Sequence, residues 1–176
     1  NELQEQGHNI TVVTFVDTQA SKLNVEDKGK LKVIRIRSLT RKYGKVGRLW
    51  AEVNYSRKII KNLKNITAIQ CDGIICYSPS IFYGRAISWL KKTYQCKSYL
   101  VIRDIFPKWA LDSGLLRKGL LSLFFEYIEK KLYLASDIIG IEAKADLSYF
   151  NAYSFNKNTS IEAVSYTHLR AHETDS

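Results

Sequence analysis

Short β-branched runs alternate with longer stretches of helical period along this chain, and that rhythm limits the folds open to it. Residues 10–16 (ITVVTFV) are short and β-branched, and predict a buried strand. Residues 73–77, 98–102 and 137–141 repeat the signal, and Ser160-Ile161 starts a last strand. Between them, Leu49, Trp50, Val53, Ile60 and Leu63 recur at helical spacing from residue 48 to 64, with a basic opposite face. Ser78-Pro79 opens a helix to about Tyr94, with serine as N-cap and proline at the first helical position. Further helices are expected over 116–135 and 145–150. Residues 17–29, polar and rich in Gly, Asp and Lys, read as a loop, as do residues 41–47. Residues 31–37 alternate strictly, Ile34 and Ile36 opposing Val33 and Arg35, and read as a strand nearer the sheet's edge. The whole predicts the α/β class: a Rossmann-like parallel sheet covered on both faces.

Composition narrows the chemistry. The chain has 176 residues, 45% of them apolar, enough for one domain with a real core. No apolar run approaches the ~20 residues that cross a bilayer. Cys71, Cys76 and Cys96 are odd in number and lack metal-ligand spacing, which argues against a disulfide framework and a zinc site and fits a reducing cytoplasm. The chain contains no methionine, and its opening residues read as the end of a helix with a C-cap at Gly7, its beginning missing. Residues 164–174, VSYTHLRAHET, resemble the in-frame translation of a transposase-type sequencing adapter. Residues 164–176 are therefore expected to be a non-native tail, leaving 1–163 as the domain. His168 and His172, spaced i, i+4, then carry no metal site. His8, the remaining histidine, offers no Ser-His-Asp or Cys-His pair and reads as structural.

Charge is concentrated. Residues 28–64 hold thirteen Lys or Arg and one acid, Glu52, in a chain whose formal net charge is +10. Such a block suits an anionic partner: a lipid surface, a phosphorylated substrate or nucleic acid.

Ligands of open parallel sheets bind beyond the carboxyl ends of the strands. Those ends carry Ser78-Pro79-Ser80, Arg103-Asp104 and Glu142. The Ser78 turn presents backbone N–H groups suited to a phosphate or hydroxyl, or serves as an ordinary cap. Asp104 directly follows an apolar strand, where an acid is solvated, paired or functional, and Arg103 is the available structural pair.

The segment from Cys71 to Ser80 (CDGIICYSPS), and above all Arg103-Asp104-Ile105-Phe106-Pro107-Lys108-Trp109-Ala110 with Ser113-Gly114-Leu115-Leu116, resembles bacterial family-4 glycosyltransferases. The nearest likeness is the fucosamine-transferase-like group of surface-polysaccharide (O-antigen or capsule) synthesis. Residues 2–13 and Ala135-Ser136-Asp137-Ile138-Ile139-Gly140 add to it, so the likeness covers about residues 2–162. It implies the N-terminal, acceptor-side half of a GT-B fold lacking its first strand, inactive as a piece of a retaining, metal-independent enzyme. It also implies a nucleotide-sugar donor, UDP- or GDP-linked, with no further cofactor, and an undecaprenyl-diphosphate-linked acceptor at the inner face of the cell membrane. Asp104 becomes the catalytic candidate, and Ser78, Ser80, Arg103 and Glu142 the substrate-binding ones. Lys108 stands where the family often has glutamate. Arg48, Trp50, Arg57, Lys58, Lys61 and Lys64 would face anionic lipid, and residues 120–125 could add an apolar contact, although a buried helix face is the expectation there.

Two other classes remain open. A nucleic-acid-binding α/β module would need aromatic residues exposed among the cations. Trp50 and Ile60 follow the apolar stripe, so burial is expected and no nucleic acid partner. A nucleotide-binding Rossmann protein of other chemistry is the second.

Overall fold

The structure is a computed structural model that describes residues 2–17, 21–38, 44–66, 69–78, 80–151, 153 and 159–164. Pro79, residues 41–43 of the expected loop, and residues 165–176 of the expected tail lie outside the described residues. The chain divides into two compact units, Asn1–Gln70 and Cys71–Ser176.

The first unit opens on helix α1 (Glu2–Glu5), which closes at Gly7 with φ +95°, as the C-cap reading expects. Strands β1 (Ile10–Val16), β2 (Leu23–Lys28) and β3 (Leu31–Arg37) then form a sheet in the order β1-β3-β2. β1 and β3 are parallel, Val13 opposite Ile34, while β2 and β3 are antiparallel.

Two expectations are corrected here. Part of the expected loop at 17–29 is strand β2, joined to β3 by the two-residue turn Gly29-Lys30. Gly29 has φ +72°, and its N–H donates to Asp27 Oδ1 at 3.2 Å, the chemistry of a tight hairpin. In addition, β3 is the centre of its sheet and not near an edge. Its alternation records one covered face and one wet face. Ile34 and Ile36 are buried, while Arg35 on the opposite face pairs with Glu26 across the hairpin; Lys32, at the strand's start on the covered face, pairs with Asp27 at 3.4 Å.

Helices α2 (Gly44–Val53) and α3 (Tyr55–Leu63) replace the single helix expected from residue 48 to 64, and α2 takes in residues 44–47 of the expected loop. The break is Asn54, whose side-chain amide donates to the Trp50 carbonyl at 2.8 Å. Ile59 and Leu63 of α3 are buried, and Tyr55 stacks on Phe15 of β1 at 4.0 Å between ring centroids.

The second unit carries β4 (Gly73–Ser78), β5 (Lys97–Ile102), β6 (Ile138–Ile141) and β7 (Ser160–Ala163) in one parallel sheet of order β4-β5-β6-β7. Helices flank it: α4 (Gly84–Tyr94), the short α5 (Lys108–Asp112), α6 (Leu120–Ala135) and α7 (Leu147–Phe150). This is the expected α/β class, with a helix-covered parallel sheet of Rossmann-like kind. The first three strands, however, form a sheet of their own. The ladder of β7 runs one residue past it, Val164 N–H donating to the Ile141 carbonyl at 2.8 Å.

The core of this unit joins Leu100, Ile102, Ile139 and Ile141 of the sheet to Ala86 and Ile87 of α4 and Phe125 and Leu132 of α6. Gly84 is where α4 meets α6, since a Cβ there would lie 2.9 Å from Leu132 Cα, backbone that has nowhere to go. Gly140 leaves room for Tyr99, which crosses β6 to donate to Glu162 Oε1 at 2.6 Å.

Candidate functional site at the carboxyl edge of the parallel sheet

Strand register brings the predicted residues to one edge. Ser78, Ile102, Ile141 and Ala163 lie on one rung, so Arg103 and Glu142 are the first residues past the ends of neighbouring strands. Arg103 Nε lies 3.7 Å from Glu142 Oε1, and Arg103 Nη1 donates to the Tyr77 hydroxyl at 3.2 Å. All three side chains are exposed, and the Tyr77 hydroxyl, followed by the charges around it, strengthens the hold of the guanidinium on its proton.

Asp104, next in chain, is exposed and enters no ion pair with a described residue. Arg103 turns to Tyr77 and Glu142 instead of closing on it. Solvation removes the cost of placing an acid there and leaves its carboxylate accessible. The following turn is held by Phe106 N–H donating to the Asp104 carbonyl at 3.1 Å and Trp109 N–H to the Ile105 carbonyl at 2.9 Å.

Ser78 is the last residue of β4 and not a helix N-cap. Its hydroxyl donates to the Ser80 carbonyl at 3.1 Å. Ser80, buried, precedes the 3-10 turn Ile81–Tyr83, and helix α4 starts only at Gly84. The serine hydroxyl is thus used on the chain itself to shape the strand exit. Pro79, expected at the first helical position, lies outside the described residues.

Of the residues expected to face lipid, Arg57, Lys61 and Lys64 are exposed, and Arg48 pairs with Glu52 one turn on, at 2.9 Å. Trp50 is 72% exposed, not buried as its place in the apolar stripe suggested. Lys58 turns inward. Its ammonium reaches Ser38 Oγ at 3.3 Å and the Arg37 carbonyl at 3.5 Å, and burial, followed by the charge of Arg37, lowers its pKa. Residues 120–125 are a further correction to the burial expected of them. Ser122 and Phe125 are buried, but Leu120, Leu121, Leu123 and Phe124 are exposed.

Three features went unseen in the sequence. Tyr77 is one, a partner of Arg103 that alternation along β4 could have supplied. The Cys71 and Cys96 sulfurs are another, 3.7 Å apart as free thiols, with burial followed by the neighbouring thiol pushing Cys71 up to about 11. The third is Glu129, fully buried on α6, whose carboxylate accepts from Tyr133 at 2.7 Å, Tyr153 at 2.8 Å and Tyr149 at 2.9 Å. An acid on the apolar face of a helix was the signal available.

Burial raises the Glu129 pKa, and the three hydroxyls only partly offset it. A carboxyl whose folded pKa lies above its unfolded value loses stability as pH rises from the unfolded pKa through the folded one. Melting temperature should therefore fall over that window, and Glu129→Gln should flatten the dependence. An unchanged pH profile in the variant would contradict the assignment.

Among the described residues no group of three His, Cys, Asp or Glu side chains is placed to hold a metal ion, and no helix is long and apolar enough to cross a membrane. No family model matches the chain, and no curated protein matches it.

Proposed function

We propose that this chain is the acceptor-side part of a retaining glycosyltransferase that moves a sugar from a UDP- or GDP-linked donor to an undecaprenyl-diphosphate-linked acceptor in surface-polysaccharide synthesis. The observation that carries the reading is the accessible Asp104 carboxylate, at the carboxyl edge of a parallel sheet and beside the Tyr77–Arg103–Glu142 chain. It lies inside the segment that resembles family-4 glycosyltransferases. In this reading Asp104 receives or orients the proton of the acceptor hydroxyl. Arg103 meets negative charge on the acceptor or donor while Glu142 and Tyr77 fix its direction. Ser78 and Ser80 shape the neighbouring strand exit. The basic face of α2 and α3 holds the enzyme at the inner face of the cell membrane, where the lipid-linked acceptor is.

The test is a screen of UDP- and GDP-linked sugars with the full-length protein, following release of nucleoside diphosphate in EDTA. Acceptor-dependent release by one donor is expected. No release with any donor would overturn the reading.

A second reading has one observation in its favour: Trp50 is exposed among cations, available to stack on a base. If α2 and α3 bind nucleic acid, the intact protein retains oligonucleotides in preference to anionic vesicles at equal salt. The membrane reading expects the reverse.

A further inference from the structure

The second unit exposes an apolar surface that the sheet-edge site does not use. On α6, Leu120, Leu123, Phe124 and Tyr127 fall at i, i+3, i+4 and i+7, one helix face, and all four are exposed, Leu120 at 89% and Leu123 at 60%. Leu115, in the segment leading into α6, is 76% exposed. Trp109, also exposed, is tied to this face by ring contacts that run beneath the surface through the buried Phe125. Phe124 meets Phe125 at 5.6 Å between centroids, Phe125 meets Phe106 at 5.0 Å, and Phe106 meets Trp109 at 6.1 Å. So large a set of apolar side chains in water marks a surface that something covers.

Charge selects the occupant. From Leu115 to Tyr127 the chain holds Arg117, Lys118 and one acid, the half-buried Glu126, and neither cation forms an ion pair with a described residue. Lys130 and Lys131 are exposed on the next turn of α6, Lys131 lying 5.3 Å over the Tyr127 ring. A second copy seated on this surface about a two-fold axis would gather Arg117, Lys118, Lys130 and Lys131 of both copies around one contact, an excess of positive charge that repels. An anionic lipid surface has the opposite character: acyl chains accept the leucines and headgroups accept the cations. Trp109 and Tyr127 are the amphipathic aromatics favoured at that boundary.

We infer that the segment 115–127, with Trp109, is a membrane-insertion surface that takes the headgroup and upper acyl region of an anionic bilayer. The inference rests on the membrane side of the function proposed above and not on sugar transfer. It adds an apolar contact, which salt does not weaken, to the electrostatic one of α2 and α3.

The experiment uses the intact protein and vesicles of 70% phosphatidylcholine and 30% phosphatidylglycerol. Leu115→Ser, Leu120→Ser and Leu123→Ser are combined in one variant, exposed positions whose change leaves the core alone. Partition at 0.5 M NaCl should fall on the order of thirtyfold or more. In a protein with Trp50→Phe and Trp89→Phe, Trp109 emission should shift to the blue and be quenched by brominated acyl chains. Binding by the serine variant within about threefold of wild type, or an unquenched Trp109, would overturn the inference. So would a wild type that is dimeric in solution where the serine variant is monomeric, with vesicle binding unchanged, because the surface would then belong to a second copy. Replacing Arg57, Lys61 and Lys64 with glutamine separates the two readings. If only that variant loses binding, the electrostatic attachment stands and the apolar inference fails.

Discussion

Asp104→Asn in the full-length enzyme is expected to lower kcat by roughly two to four decades while leaving the fold intact. The substitution keeps the size and planarity of the side chain and removes its charge. Asp104 is exposed and outside the apolar core, so the stability cost should stay within about 0.5 kcal/mol. KM for the donor should change little, since the loss belongs to proton handling on the acceptor side. Steady-state kinetics beside a thermal melt reads both quantities. Activity within about threefold of wild type would show that the carboxylate serves solubility or the turn and takes no part in transfer.

Removing three cations from α3 should have the next largest effect. Arg57, Lys61 and Lys64 are exposed, whereas Lys58 spends its ammonium on Ser38 and the Arg37 carbonyl and is left in place. Each basic residue near an anionic surface is worth about 1 kcal/mol, so the triple glutamine variant should bind anionic vesicles about a hundredfold more weakly at low salt. The difference should shrink as salt shortens the Debye length below about 8 Å. Vesicle sedimentation across a salt series measures it, and equal binding by variant and wild type would remove the basic face from the account.

Much of the fold was legible because the strands of the parallel sheet are β-branched and short, bounded by polar turns. Residues 73–78, 97–102 and 138–141 formed strands within one residue of their expected limits. Strand β2 was hidden because LNVEDK is half charged, and its charges pair across the hairpin with Lys32 and Arg35. The sheet-edge residues were legible too, since any residue directly after a parallel strand projects from that edge. Which of them pair was not, because Arg103 could reach Asp104 along the chain or Glu142 across the sheet, and only the register decides.

Helical period failed in another way. It identifies an apolar stripe but cannot say whether anything covers it. Trp50 and Leu120 both fit a stripe and both face solvent. Glu129 shows the converse, an acid inside the core that is tolerated because three hydroxyls on Tyr133, Tyr149 and Tyr153 converge on it.

The most direct test is the lipid product itself. The full-length protein is incubated in anionic vesicles with the donor that supports nucleotide release and an undecaprenyl-diphosphate-linked sugar, in EDTA. The extracted lipid is then read by mass spectrometry and the new bond by NMR. The expected result is a mass gain of one sugar residue, a linkage that keeps the donor's anomeric configuration, and loss of both signals in Asp104→Asn. An unchanged lipid mass, or a product formed equally well by Asp104→Asn, would contradict it.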